Sequence, residues 1–102
     1  MAVYVILTSK PGQFRTELMD GLQAMESYEY TYCGRTRAHF VIAELKSPTK
    51  VRIVDETPPQ VVNLVPTKFL EKFKTVEAAR RELEALASSG GSEAALTRVQ
   101  CP

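Results

Sequence analysis

The stretch YEYTYCGRTRAHFVIAEL, residues 28–45, decides the fold because two alternating apolar patterns stand on either side of a turn signal. Apolar side chains occupy every second position before and after the turn: Tyr28, Tyr30 and Tyr32, then Ala38, Phe40 and Ile42. A period of two residues is typical of a strand with one buried face. The stretch therefore predicts a β-hairpin whose apolar side chains share one face.

The length of the loop decides which side chains meet across this hairpin. A three-residue loop at 34–36 pairs Tyr32 with Ala38 and Tyr30 with Phe40, which keeps the apolar set together. A two-residue loop would instead set the tyrosines against the charged and polar positions of the second strand. We therefore predict the three-residue loop.

The chain before the hairpin predicts one strand and one helix. Residues 3–8 are almost all apolar, which is typical of a central strand covered on both faces. Phe14, Leu18, Leu22 and Met25 then recur at intervals of four, four and three residues. That spacing predicts an amphipathic helix over residues 11–26.

The chain after the hairpin predicts two more strands and a second helix. Residues 50–54 alternate like a half-buried strand, and residues 61–65 form an apolar run between two prolines, which favours a sheet edge. A short helical turn is expected over 67–73. Thr75 can cap the helix that follows, whose apolar stripe continues to Leu86.

These elements predict an α+β protein, a two-layer sandwich in which two helices cover one face of a mainly antiparallel sheet. In outline this resembles the ferredoxin-like fold. The Ser- and Gly-rich residues 88–92 indicate a boundary, so we expect one domain over 1–88 and a linker and tail over 89–102. The tail is expected to dock as a brief helix or to stay disordered.

The composition excludes several classes of function. The 102 residues are 44% hydrophobic and 25% charged with a net charge of +1, which suits one folded domain without a bulk field for nucleic acid. The N-terminus has the features of neither a signal peptide nor a membrane span. Cys33 and Cys101 lie far apart, which predicts reduced thiols in the cytoplasm.

The polar face of the hairpin is the candidate for chemistry. Its Cys33, Arg37 and His39 suggest a nucleophile, an anion holder and an acid or base, with Tyr30 or Tyr32 as a hydrogen-bond donor. A small dimeric enzyme or small-molecule-binding protein is therefore the alternative function. The contrasting interpretation, which we favour, is a solvated outer sheet face.

Other sites find little support in the sequence. One histidine and two distant thiols give no ligand spacing for a metal, and we expect no cofactor. Residues 10–13 join a strand to a helix start without a phosphate-binding motif. Basic residues near the tyrosines lack any nucleic-acid-binding signature, and acidic residues lie among them, so nucleic acid is not an expected partner.

The segment 58–73 gives the main functional hypothesis, because it joins a proline-bounded apolar strand to a Phe-rich turn. An exposed sheet edge or apolar groove there would receive a protein partner. The partner-binding residues predicted are Val61, Val62, Leu64, Phe69, Leu70 and Phe73. The chain is thus expected to be a non-catalytic interaction or accessory module, with a homodimer as one form of partnership and no membrane association.

Overall fold

The computed structural model describes residues 2–102, which form two antiparallel β-sheets and one α-helix. The strands are β1 (Tyr4–Ser9), β2 (Phe14–Glu17), β3 (Leu22–Tyr32), β4 (Arg35–Leu45), β5 (Lys50–Asp55), β6 (Val62–Pro66) and β7 (Ala94–Val99). The helix α1 spans Val76–Ser88, and short 3₁₀ turns lie at Thr67–Phe69 and Gly91–Glu93. The larger sheet has the order β1-β4-β3-β7, and the smaller has the order β2-β5-β6.

The predicted hairpin is present as β3 and β4, but the predicted three-residue loop is wrong. Tyr32 pairs with Arg35, so only Cys33 and Gly34 form the turn, with φ of 53° and 76°. Positive φ at both central residues is what a type I′ hairpin turn requires, and its twist matches that of the strands. A tight turn of this type therefore replaces the longer loop.

Two register shifts keep the hairpin's apolar side chains in phase. Next to the turn Thr31 pairs with Thr36, but the following pair is Tyr30 with Ala38, so Arg37 is an extra residue. Without this bulge the tyrosines would face the polar side chains of β4. Further along β3, Met25 is extra in the same way between the pairs made by Ala24 and Glu26. The predicted shared apolar face is thus confirmed, although the pairs are shifted by two residues.

Both faces of the larger sheet are covered. On one face α1 packs against the hairpin in a core of these buried residues: Tyr28, Ala38, Phe40, Ile42, Ala79 and Leu83. On the other face the smaller sheet packs against a second core formed by Val5, Leu7, Ala43 and Val51. The molecule is therefore a mainly sheet sandwich with one helix outside it.

The predicted helix over 11–26 is wrong, and the two-helix, ferredoxin-like outline that depended on it is not confirmed. This region forms β2, a loop and the start of β3. Phe14, Leu18 and Leu22 are four residues apart, and a spacing of four fits a strand as well as a helix. Pairing of β2 with β5 and of β3 with β4 decides between the two.

The burial predicted for β1 is confirmed, but its central position is wrong. Val5 and Leu7 belong to the core under the smaller sheet, and Tyr4 and Ile6 pack on the helix side. In the sheet order, however, β1 is an edge strand. Backbone hydrogen bonds in both directions between Tyr4 and Phe73 cover part of that edge.

The second half of the chain follows the sequence pattern more closely. Strands β5 and β6 are present, and β6 is an edge strand as its flanking prolines predicted. The Thr75 side chain accepts a hydrogen bond from the backbone N–H of Ala78 at 3.0 Å, which confirms the predicted cap. The tail differs from its prediction. The predicted brief helix in the tail is absent, because Ala94–Val99 form β7 beside β3. The domain boundary at residue 88 stays a prediction.

The helix content bears on membrane association. Across residues 2–102, no helix is both long enough and apolar enough to span a bilayer.

The hairpin turn makes a testable prediction at Cys33, where a side chain occupies a left-handed conformation. Asparagine tolerates this conformation and Asn-Gly is the preferred type I′ pair, so Cys33→Asn is expected to raise the free energy of unfolding by about 0.5–1 kcal/mol. Cys33→Val should lower it, because a β-branched residue is strained at positive φ. Urea denaturation of the three proteins measures the order; a Val variant as stable as the Asn variant would contradict the turn.

Candidate functional site

The exposed apolar side chains of the chain concentrate on and beside β6. Val62 and Leu64 are 44% and 52% exposed, Val61 just before the strand is 47% exposed, and Phe69 in the 3₁₀ turn is 71% exposed. We call these four residues the β6 patch. Of the other residues predicted to bind a partner, Leu70 and Phe73 are only half-buried and pack against the two cores. The β6 patch is thus the exposed part of the predicted set.

The hydrogen-bond pattern shows which backbone groups of β6 face outward. The N–H of Asp55 donates to the Val61 carbonyl at 3.0 Å, and the N–H of Thr67 donates to the Thr49 carbonyl at 2.9 Å. Because backbone groups alternate in direction along an antiparallel strand, Asn63 and Val65 face β5. The N–H groups of Val62 and Leu64 therefore point to the unpaired edge.

Proline at the end of β6 fits this pattern. Pro66 is in phase with Val62 and Leu64, so its missing N–H falls on the outward side and removes no bond to β5. The free edge therefore offers two N–H donors, those of Val62 and Leu64, and no donor at Pro66. Short edge strands closed by proline are one way in which proteins limit uncontrolled sheet-to-sheet association.

The surroundings of the β6 patch are basic. Arg52 lies opposite Leu64 and Lys50 lies opposite Pro66, on the outward face of the smaller sheet. Glu17 accepts a hydrogen bond from the Nε of Arg15 at 3.1 Å and forms an ion pair with Arg52, whose Nε is also 3.1 Å away. The Lys68 Nζ stands 5.2 Å from the Phe69 ring centroid, a cation–π distance. Cationic side chains thus lie next to the β6 patch in two places: on β5 and beside Phe69.

The four residues of the catalytic alternative do not come together. Cys33 is exposed in the hairpin turn. Arg37 and Tyr30 line a hollow on the helix side of the larger sheet, where the Tyr30 and Phe40 ring centroids are 6.4 Å apart. His39 lines a different hollow together with Ser9 and Ser27. No nucleophile and base are therefore adjacent in this set.

An ionic cluster that no sequence pattern indicates lies between the larger sheet and α1, with a buried carboxylate at its centre. Glu26 on β3 is 7% exposed, and its carboxylate accepts from Arg80 on α1, with distances of 3.0 Å to Nε and 2.6 Å to Nη2. The Tyr28 hydroxyl donates to the same carboxylate at 2.7 Å, and Arg98 on β7 lies 3.5 Å away. The cluster therefore joins three elements.

The electrostatics of the cluster follow from these contacts. Hydrogen bonds from Arg80 lower the pKa of Glu26 from 4.5 to about 2, against the opposing effect of its burial. The same carboxylate raises the pKa of Arg80, and burial raises the pKa of the Tyr28 hydroxyl. Each polar group of the cluster has a partner, so it is a structural connection rather than an activated site.

Neither a metal site nor a similar protein indicates a function for the chain. Among residues 2–102, no three His, Cys, Asp or Glu side chains are grouped so as to hold a metal ion. No protein-family model, curated protein or solved structure matches the chain.

The ionic cluster predicts how stability depends on pH. Because the pKa of Glu26 is lowered in the folded state, its contribution is complete above about pH 5 and is lost as the pH falls toward about 2. The stability difference between wild type and Glu26→Gln should therefore narrow over that range in urea denaturation. Glu17→Gln, at an exposed ion pair, is the control and should change stability by less than about 1 kcal/mol. A Glu26→Gln difference that is constant between pH 7 and pH 2 would contradict the assignment.

Proposed function

We propose that this chain is a non-catalytic interaction module that binds an extended segment of another protein along β6. The partner segment would add a fourth strand to the smaller sheet, as other domains do by strand addition. The unpaired edge of β6 with its exposed apolar side chains is the observation that carries this proposal. Backbone groups of Val62 and Leu64 would provide affinity, and the β6 patch would select apolar side chains.

The chemistry of the surface suggests what the partner segment contains. Alternate residues of an added strand lie on the same face as Val62 and Leu64, so apolar residues are expected there at every second position. Lys50 and Lys68 border the patch, whereas Arg52 beside them is already paired with Glu17, so acidic residues are expected beside the apolar ones that lie near the two lysines. The proposed partner is therefore an extended, acidic segment with alternating apolar residues.

The size of the surface favours such a segment over a second copy of the chain. A stable dimer buries about 800 Å² on each partner. The β6 patch has four side chains, three of them about half exposed, and the edge offers two N–H donors, which is too little for that area. A second copy of the chain is accordingly the alternative binding partner at β6. The solution mass tests this, because it distinguishes a dimer from a monomer.

The catalytic alternative is not the function we propose, because Cys33, Arg37, His39 and Tyr30 are divided among separate places. The accessory role and a cytoplasmic location complete the proposal. Both cysteines are exposed and free, which suits a reducing compartment.

Replacement of Leu64 by proline tests the proposal at the backbone. Since the Leu64 N–H faces away from β5, Leu64→Pro removes an outward donor and leaves the pairing with β5 intact. Peptides selected from a displayed random 12-residue library on the wild-type protein should carry alternating apolar and acidic residues. They should bind Leu64→Pro about ten-fold or more weakly, measured by fluorescence polarisation.

Two further variants control this experiment. Leu64→Thr keeps the N–H and should retain part of the affinity, whereas Leu86→Ser removes an exposed apolar side chain of α1 and should retain all of it. Circular dichroism melting checks that each variant is folded. Selected peptides that bind folded Leu64→Pro as well as wild type, or a wild-type protein that is a dimer through β6, would contradict the proposal.

A further inference from the structure

A hollow of about 330 Å³ opens on the face of the larger sheet that also carries the smaller sheet. Its polar lining includes Ser9 on β1, Thr16 on β2, Ser27 on β3 and His39 on β4, and Gln100 after β7 also lines it. Val41 and Val99 contribute apolar surface beside them. The volume is at the lower end of the range for small-molecule sites.

Ser27 is the unusual residue of this hollow. It is 4% exposed, and its hydroxyl has no hydrogen-bond partner within residues 2–102. Its neighbours across the sheet are Val41 on β4 and Val99 on β7, so an apolar side chain would suit the position. An unpaired buried hydroxyl lowers the stability of the fold, and a ligand that accepts its hydrogen bond would recover that loss.

His39 and Ser9 provide the neighbouring polar groups. They form a cross-strand pair, and both line the hollow. The Ser9 hydroxyl oxygen accepts from the Thr16 N–H at 2.8 Å, which leaves its own proton available to a ligand. The side chain of Glu29, opposite His39 on β3, accepts instead from the Thr36 hydroxyl at 2.9 Å. No Lys, Arg, Asp or Glu lines the hollow, so it does not suit a charged ligand.

We propose that this hollow binds a small, uncharged ring compound that carries a hydroxyl group. A hydroxyl can accept from Ser27 and donate to an imidazole nitrogen of His39 at the same time, whereas a carbonyl oxygen can only accept. The ring would lie against Val41 and Val99, where an apolar body loses its contact with water. This site is separate from β6, and it does not depend on the strand-addition proposal.

Phenol and toluene form the matched pair of probes, because they share a ring and differ in a hydroxyl against a methyl group. Titration of the intact protein, followed by NMR of the backbone amides, should show saturable phenol shifts at Ser27, His39 and Val41. Toluene should bind about three-fold or more weakly, since it cannot satisfy the Ser27 hydroxyl.

Ser27→Ala separates ligand binding from folding. Removing an unpaired buried hydroxyl should leave the free energy of unfolding unchanged or higher, while the preference for phenol over toluene disappears. Ser92→Ala, at an exposed position, should keep both properties. The proposal is overturned if phenol causes no saturable shifts at these residues, if toluene binds as well as phenol, or if Ser27→Ala lowers the stability.

Discussion

The adjacent residues Ile42 and Ala43 of β4 have no exposed surface, so β4 is buried on both of its faces at this point. Consecutive residues of a strand face opposite sides of a sheet. Ile42 packs in the core under α1, and Ala43 packs in the core under the smaller sheet. A register slip of one residue would exchange the two cores, so the β3–β4 hairpin is fixed in one alignment.

The two sheets differ in how much of their edges and faces is exposed. The larger sheet is covered on both sides, and part of its β1 edge is covered by Phe73. The smaller sheet has one covered face, and β6 is its last strand. Beyond its pairing with β5, β6 has no further strand at its outer edge, and no helix covers its exposed apolar side chains. Four of the large apolar side chains that are exposed among residues 2–102 therefore lie on or beside β6, and this is the surface to which the proposed partner binding refers.

Sequence patterns predicted the elements whose periodicity had one interpretation. The tyrosine alternation in 28–45 fits only strands, and Pro66 fits only an edge, so both predictions were confirmed. The spacing of Phe14, Leu18 and Leu22 fits a helix and a strand equally, and pairing with distant strands decided between them. Propensity within a segment carries no information about such partners.

The residues of the candidate sites also differ in whether a local sequence pattern indicates them. The exposure of Val62, Leu64 and Phe69 follows from a proline-bounded apolar run, which is visible in the sequence. The cluster of Glu26, Arg80 and Arg98 joins residues up to 72 positions apart, and nothing in their local sequence signals the contact. Ser27 was missed for a different reason: it falls between the predicted helix over 11–26 and the predicted strand that starts at Tyr28, whereas in the structure it lies within β3.

Residue-resolved amide hydrogen exchange of the protein, free and with a selected peptide, tests whether the outer edge of β6 is open and receives the peptide. In the free protein we expect fast exchange at Val62 and Leu64 and slow exchange at Asn63 and Val65. Peptide binding should then slow Val62 and Leu64 specifically. Slow exchange at Val62 and Leu64 in the free monomer would contradict an open β6 edge. Fast exchange that persists at these two residues in the complex would contradict strand addition.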